Sequence, residues 1–265
     1  MTPSFVNATP IQCQDGCPVV LFSPGFRSIN FLNTFYALEF ASHGFIVIGI
    51  NHPGMSAGTL LTDGSQVGFN PIDVELTFAE YEQPDSLFSD LVVKQADNIS
   101  TIVDEIMVLN NTVDSFLYQK INPSKVFAAG HSIGGAASFV ACGKDDQISK
   151  GVNLDGIFVD PANTNYPSKE LLLISSNWGK YSPKDKSSRS RIDTIVAKDQ
   201  IQRKKLAVKA NLYQRSFESA SHFNFMDLPV IIRSSIGKKI GLFGNINGLE
   251  LLSKTSAEMI NFFNE

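Results

Sequence analysis

The chain has 265 residues, of which 43% are hydrophobic and 18% charged, and this suits one large globular domain with a buried core. Its formal net charge of −4 argues against a dedicated nucleic-acid-binding protein, because such proteins are strongly basic. The sequence has no run of about 18 apolar residues, so we expect no membrane-spanning helix.

The expected compartment depends on where the native chain starts. The N-terminus lacks the basic-then-apolar pattern of a signal peptide, so a chain that starts at Met1 would be cytoplasmic. A missing leader would make the protein secreted or periplasmic instead. The three cysteines are too few for a disulfide framework, and Cys13 and Cys17 either close one small loop or remain free thiols.

Apolar runs of strand length alternate with segments of helix length along the chain. This alternation predicts a mostly parallel sheet with helices on both faces, in a single domain over residues 1–265. Residues 54–84 have mixed polarity with several Gly and Pro, which predicts a long excursion over the carboxyl edge of the sheet. In chain order we predict a strand at 19–22, a helix at 30–42, a strand at 45–50, a helix at 86–110, a strand at 125–129, a helix at 134–141, strands at 151–154, 171–175 and 211–217, and a helix at 249–263.

The pentapeptide Gly130-His131-Ser132-Ile133-Gly134 lies between a predicted strand and a predicted helix. That is the setting in which Gly-x-Ser-x-Gly forms a nucleophile elbow, a sharp turn that presents the serine at the top of an α/β-hydrolase sheet. Gly130 and Gly134 leave room where a side chain would collide with neighbouring backbone. The motif therefore predicts Ser132 as a nucleophile; the alternative is a chance match in a Gly-rich turn.

A serine hydroxyl needs a base to take its proton and an acid to orient that base. In the α/β-hydrolase fold these groups follow in the order Ser, then Asp or Glu, then His. His43, His52 and His131 precede Ser132, and we expect ordinary structural roles for them. His222 alone fits the order, and it follows the predicted strand 211–217 in a small-residue loop.

Two carboxylates compete for the role of the acid. Asp155 directly follows the predicted strand 151–154, which puts it at the carboxyl edge of the sheet beside the elbow. Asp160 comes five residues later in Val-Asp-Pro, a context more typical of a turn. The strand 171–175 ends in Ser-Ser-Asn-Trp, with no carboxylate. We therefore predict Asp155, with Asp160 as the alternative.

Two backbone N–H groups should bind the oxyanion of the acyl-transfer intermediate. One belongs to Ile133, the residue after the nucleophile. The other should come from the loop after the first strand, where Pro24 has no N–H. This leaves Phe26 or Gly25, and we favour Phe26.

Five segments of the chain are informative together, and they are 22–26, 38–47, 130–136, 151–156 and 221–227. They resemble the platelet-activating-factor acetylhydrolase family, the plasma and intracellular type II enzymes, and more distantly the cutinase-like polyester hydrolases. The resemblance covers about residues 18–265, and it implies an α/β-hydrolase fold and Asp155 and His222 as partners of Ser132. Pro24 departs from the family, which usually has His there, and only about 18 residues precede the oxyanion strand.

We therefore expect a serine ester hydrolase without metal or organic cofactor. The resemblance implies an ester or phospholipid substrate, with a short or oxidised sn-2 acyl chain as one option. The alternatives are a general carboxylesterase or polyester hydrolase, and a non-catalytic binding protein with this fold. Residues 169–215 hold 12 of the 22 Lys and Arg but 4 of the 26 Asp and Glu. Within them, 178–210 is either a solvated helical insertion or a cap, and the segment could touch an anionic membrane peripherally.

Overall fold

The computed structural model describes residues 5–6, 8–69, 87–158, 166, 169–177 and 186–265. Among these residues, the main sheet has six parallel strands and the chain forms seven α-helices. The strands are β1 (Cys17–Ser23), β2 (Ile46–Gly49), β5 (Ile121–His131), β6 (Lys150–Leu154), β7 (Glu170–Ser176) and β8 (Asn211–Phe217). The helices are α1 (Thr34–Ser42), α2 (Leu87–Asn111), α3 (Ile133–Lys144), α4 (Lys186–Lys209), α5 (Leu228–Ile231), α6 (Ser234–Lys239) and α7 (Gly248–Asn264).

The order of the strands across the sheet is β2-β1-β5-β6-β7-β8, with every neighbouring pair parallel. The chain starts in β1, moves outward to β2, returns to β5 and then proceeds in the other direction. The direction of winding therefore reverses between β1 and β5. In open parallel sheets, ligands bind beyond the carboxyl ends of the strands at such a switch point. The site should lie where Ser23 and His131 end these two strands.

Helices cover both faces of the sheet, as the alternating pattern predicts. Leu91, Ile99 and Phe139 bring α2 and α3 into one apolar core, while Tyr36 and Leu251 bring α1 and α7 into the other. Strands buried on both faces are apolar along their whole length, and the buried Val-Val-Leu-Phe run of β1 is typical. The expectation of a mostly parallel α/β sheet is confirmed.

The structure describes only part of the excursion that the sequence predicts over residues 54–84. It contains a small antiparallel pair, β3 (Thr59–Leu60) and β4 (Gln66–Val67), and residues 70–86 lie outside the described residues. The predicted helix 30–42 is a 3-10 turn at Asn30–Asn33 followed by α1. Within the described ranges, no helix has the length and apolar character needed to cross a membrane.

The sequence left two questions open: whether Cys13 and Cys17 pair, and what the segment 178–210 forms. Cys13 and Cys17 form a disulfide at the start of β1, so the small-loop alternative is the one found. Residues 178–185 lie outside the described residues, and 186–209 form α4, which joins the parallel strands β7 and β8. A parallel pair needs such a crossover. A capping role for this segment stays a prediction.

Candidate active site

Ser132 occupies the turn between β5 and α3, at the switch point of the sheet. Its backbone has φ 57° and ψ −128°, a conformation that side-chain-bearing residues rarely adopt and that clusters at functional sites. The Ser132 N–H donates to the carbonyl of Leu154 at 2.9 Å, and its own carbonyl accepts from Gly135 at 2.9 Å and Ala136 at 3.2 Å. Neighbouring backbone thus holds the strained turn in place.

The glycines of the elbow are required by close backbone approach. A Cβ on Gly130 would lie 2.3 Å from the carbonyl oxygen of Gly134, and a Cβ on Gly134 would lie 2.3 Å from that of Ser23. Both neighbours are backbone atoms of the central sheet and its following helix, so they cannot swing aside. These contacts bring the β1 loop directly against the start of α3.

Asp155 follows β6 and is 1% exposed. Its Oδ1 accepts the Ser176 N–H at 2.6 Å, and its Oδ2 accepts the Ser176 hydroxyl at 2.9 Å and lies 2.8 Å from His222 Nδ1. Sequence reasoning missed Ser176, although it noted that β7 ends without a carboxylate. The serine there supplies the donors that a buried carboxylate requires.

The turn that carries Asp155 is packed onto the elbow. The Asn153 side chain accepts the Gly156 N–H at 2.7 Å and donates to the Gly156 carbonyl at 3.1 Å, which closes the turn. A Cβ on Gly156 would lie 2.1 Å from the Ser132 carbonyl oxygen. The carboxylate and the serine are therefore held on two turns in direct contact.

His222 begins a 3-10 turn, His222–Phe225, after β8. The Asn224 side chain fixes this loop, because its Oδ1 accepts the N–H groups of Ser221 at 2.9 Å and of Gly244 at 2.8 Å. Because His222 Nδ1 is hydrogen-bonded to Asp155, the other ring nitrogen, Nε2, is the one that can take a proton from a hydroxyl. The His222 ring centroid is 4.4 Å from that of His131, the residue bonded to Ser132. The structure thus brings all three predicted residues to one place.

The β1 loop passes over the serine. A Cβ on Gly25 would lie 3.1 Å from Ser132 Cβ. The N–H groups after Phe26 are engaged, Arg27 with Met55 at 3.0 Å and Ser28 with Gly25 at 3.0 Å. In the part of the chain that is described, neither the Phe26 nor the Ile133 N–H donates to a loop carbonyl. Asp160, the alternative acid, lies outside the described residues.

A chain of polar side chains connects Ser23, at the end of β1, to α2. Asn98 Nδ2 lies 3.1 Å from His52 Nδ1, His52 Nε2 lies 2.9 Å from Ser23 Oγ, and the Ser23 hydroxyl donates to Gln95 at 3.3 Å. These contacts fit a neutral His52 that accepts at Nδ1 and donates at Nε2. Burial lowers the pKa of His52 to about 4. His52 is thus held in a hydrogen-bond network that the sequence did not predict, and a structural role for it stays a prediction.

Acid should destabilise the protein through His52. Its pKa of about 4 in the folded state lies below the ordinary 6.5, so the unfolded chain binds the proton first as the pH falls through this window. At about pH 4.5 this amounts to about 2.5 kcal/mol of lost unfolding free energy. His52→Gln can still donate to Ser23 but has no imidazole to protonate. Between about pH 7 and pH 4.5, we therefore expect the wild type to lose about 2.5 kcal/mol more unfolding free energy than this variant, as measured by urea titrations. If the wild type and His52→Gln lost equal unfolding free energy on acidification, this assignment would be contradicted. The control is His43→Asn, which replaces a histidine at an exposed position.

Within the described residues, no group of three or more His, Cys, Asp or Glu side chains could hold a metal ion. The site has a serine on a strained strand-to-helix turn, a histidine bonded to a buried aspartate, and a parallel sheet that reverses direction beneath them. This sheet and elbow define an α/β-hydrolase fold. A ferulic acid esterase from Streptomyces cinnamoneus has the same fold, with a TM-score of 0.67 and 19% identity over 95% of this chain and 68% of that one.

The chain belongs to the family of platelet-activating factor acetylhydrolase, isoform II, whose sequence model matches residues 1–265. A probable 1-alkyl-2-acetylglycerophosphocholine esterase from Arthroderma benhamiae is 28% identical over 84% of this chain and 53% of its own length. A platelet-activating factor acetylhydrolase from Cavia porcellus is 25% identical over 94% of this chain and 58% of its own. The chain therefore spans about half the length of these relatives.

Proposed function

We propose that this protein is a serine carboxylic-ester hydrolase that works by acyl transfer through Ser132, His222 and Asp155. The observation that carries the proposal is the 2.8 Å contact between His222 Nδ1 and Asp155 Oδ2, formed beside the strained serine turn. A serine, a base and an orienting acid in this arrangement are the parts that activate a hydroxyl nucleophile.

The reaction has two halves. In the first, the Ser132 oxygen bonds to the ester carbonyl carbon while the Ser132 proton passes to His222 Nε2. The π electrons of the carbonyl bond move onto the carbonyl oxygen, which becomes the oxyanion. The intermediate collapses, the alcohol leaves with the proton from His222, and an acyl-serine remains. In the second half, water loses a proton to His222 and attacks the acyl carbon; the acid leaves and Ser132 regains its proton. Asp155 holds the ring and stabilises its charged form.

The Phe26 and Ile133 N–H groups are proposed to bind the oxyanion. Ile133 is the first residue of the 12-residue helix α3, whose N-terminal end carries partial positive charge. Gly25 lies against Ser132, so the N–H of the following Phe26 belongs to the same short loop. Preorganised donors of this kind account for about 10²–10³-fold each in kcat.

We propose phospholipids with a short or oxidised sn-2 acyl chain as the substrates. The support comes from the family and from the names of the relatives, which describe an acetylhydrolase and a 1-alkyl-2-acetylglycerophosphocholine esterase. The competing substrates are simple aryl esters and polyesters.

A substrate panel tests this choice. We would compare kcat/KM for an sn-2-acetyl phospholipid, the same lipid with a long sn-2 chain, a short aryl ester and a polyester film, each with the wild type and with Ser132→Ala. We expect the sn-2-acetyl lipid to be hydrolysed at least about 10²-fold better than its long-chain analogue, by the usual discrimination for several methylenes. Equal rates for the two lipids, or faster turnover of the polyester, would reject the substrate proposal. No Ser132-dependent turnover of any ester would favour a binding protein.

Contact with a membrane surface would bring such lipids to the site. Within the basic segment 169–215, the exposed lysines that the structure describes, Lys204 and Lys205, lie near the end of α4, just before β8 begins at the edge of the sheet opposite Ser132. Residues 228–241, in contrast, come soon after His222 in the chain. We name them the apolar-basic surface, because they expose apolar and cationic side chains, and the chain has no acidic residue from 228 to 249. The exposed members are Val230, Ile231, Arg233, Ile236, Lys238, Lys239 and Ile240.

We therefore propose the apolar-basic surface as the contact with an anionic phospholipid bilayer. Co-sedimentation with phosphatidylcholine vesicles, with and without about 30% phosphatidylserine, tests it, since cationic contacts add about 1 kcal/mol each near an anionic surface. We expect Ile231→Ser/Ile236→Ser to lose binding and Lys204→Glu/Lys205→Glu to keep it. The opposite result would place the contact on α4.

A further inference from the structure

Ser132 is preceded by a histidine that the acyl-transfer scheme does not use. His131 is 2% exposed, its Nε2 lies 3.1 Å from the backbone carbonyl oxygen of His222, and the two rings are 4.4 Å apart and tilted by 33°. A carbonyl oxygen can only accept, so His131 Nε2 must carry the proton and donate it. The contact joins residues 91 positions apart in the chain.

We propose that His131 is a positioning residue, which holds the loop of the base His222 at the correct place over Ser132. The inference rests on the proposed function, since a position for the base matters only if His222 moves a proton. It assigns no chemistry to His131 itself.

His131 is suited to a structural hydrogen bond because it stays neutral. With the proton on Nε2, its Nδ1 is a bare acceptor, and this atom is buried without a hydrogen-bond partner among the described residues. A Cβ on Gly25 would lie 3.4 Å from it, so the loop packs closely on that side. Burial, and then the neighbouring His222, hold the pKa of His131 well below its ordinary value. A second proton would therefore be strongly disfavoured, and His131 cannot serve as the base.

The hydrogen bond gives His222 a second point of attachment. Asp155 holds the ring through Nδ1 at 2.8 Å, and this fixes its tilt. His131 holds the main chain of the same residue, and this fixes the distance of the loop from the elbow. Because His131 is bonded directly to Ser132, any shift of the elbow carries the anchor of the base with it. A displacement of about 1 Å in such a site costs about 10²-fold in rate.

Two amide side chains separate the hydrogen bond from the loss of the ring. The amide nitrogen of glutamine can reach the place of Nε2, whereas that of asparagine ends near the place of Nδ1. Both substitutions remove the aromatic ring, and only His131→Gln can still donate to the His222 carbonyl. The two variants therefore differ by one methylene, which sets the reach of the donor.

Steady-state kinetics on an ester that the wild type hydrolyses, together with the rate of fluorophosphonate labelling of Ser132, test the proposal. We expect His131→Asn to lower kcat about 10- to 100-fold with KM within about twofold, and His131→Gln to recover most of the loss. Labelling should follow the same order, because it needs the same base but no product release. Equal rates for the two variants, whether both normal or both slow, would overturn the proposal. A wild type that neither hydrolyses esters nor labels would instead reject the proposed function, and this inference with it.

A measurement on the unmodified protein covers the case in which a variant fails to fold. Imidazole nitrogen NMR of the wild type should find His131 as the neutral Nε2–H tautomer throughout about pH 5 to 8, the range in which an ordinary histidine changes charge. A neutral Nδ1–H tautomer, or titration of His131 within that range, would contradict the hydrogen bond and overturn the proposal.

Discussion

Replacing Ser132 with alanine is expected to lower kcat by about 10⁴-fold or more, because the hydroxyl that forms the acyl-enzyme is lost. The substitution leaves the backbone undisturbed, since the N–H and carbonyl of residue 132 make the hydrogen bonds that hold the turn. KM should change little, and the variant should melt close to the wild type.

Ser138→Ala is the matched control for this loss. Ser138 is a buried serine near the elbow, and its hydroxyl donates to the Gly134 carbonyl at 2.8 Å within α3. We expect its activity to stay within a few-fold of the wild type, with a stability loss of about 1 kcal/mol. An active Ser132→Ala protein, measured free of wild-type contamination, would contradict the assignment of the nucleophile.

Replacing Asp155 with asparagine is expected to lower kcat by about 10³- to 10⁴-fold, with KM nearly unchanged. An asparagine amide can donate to His222 Nδ1, and the ring then carries its proton on Nε2. In that tautomer Nε2 cannot accept the proton of Ser132. The side-chain oxygen can still accept from Ser176, so the turn after β6 should keep its shape. The loss is therefore one of tautomer and charge rather than of folding.

Asp199→Asn is the corresponding control, because Asp199 is a second buried carboxylate. It accepts the Phe158 N–H at 2.8 Å and pairs with Arg203, and burial raises its pKa. This variant should retain most of the activity in the same assay. Asp160→Asn, the alternative acid in the sequence, is also predicted to remain active. If Asp160→Asn abolished turnover and Asp155→Asn did not, the acid would be misassigned.

The sheet and the elbow could be predicted because both depend on local sequence. Every strand of the main sheet except β8 contains an apolar run that can be seen in the sequence. The glycines around Ser132 are required by a turn only a few residues long. The strand 211–217 was predicted with the bounds that β8 has. The order Ser, Asp, His left one eligible histidine, and the structure brings it to Asp155.

The supporting contacts could not be predicted because they depend on register between distant strands. Ser176 reaches Asp155 only because β6 and β7 pair with Leu154 opposite Ile174, which places the ends of the two strands side by side. The hydrogen bond from His131 to the His222 carbonyl joins two loops that no periodicity relates. Cys13 and Cys17 were undecided for a similar reason, since pairing depends on how the turn before β1 closes.

Covalent labelling tests directly whether Ser132 is a nucleophile activated by His222. Folded wild-type protein would be treated with a fluorophosphonate, and its intact mass and the modified peptide would be measured, with Ser132→Ala and Ser138→Ala alongside. We expect one adduct per chain, located on Ser132, absent from Ser132→Ala and formed within a few-fold of the wild-type rate in Ser138→Ala. Folded protein that stays unmodified, or that carries its adduct on another residue, would contradict it.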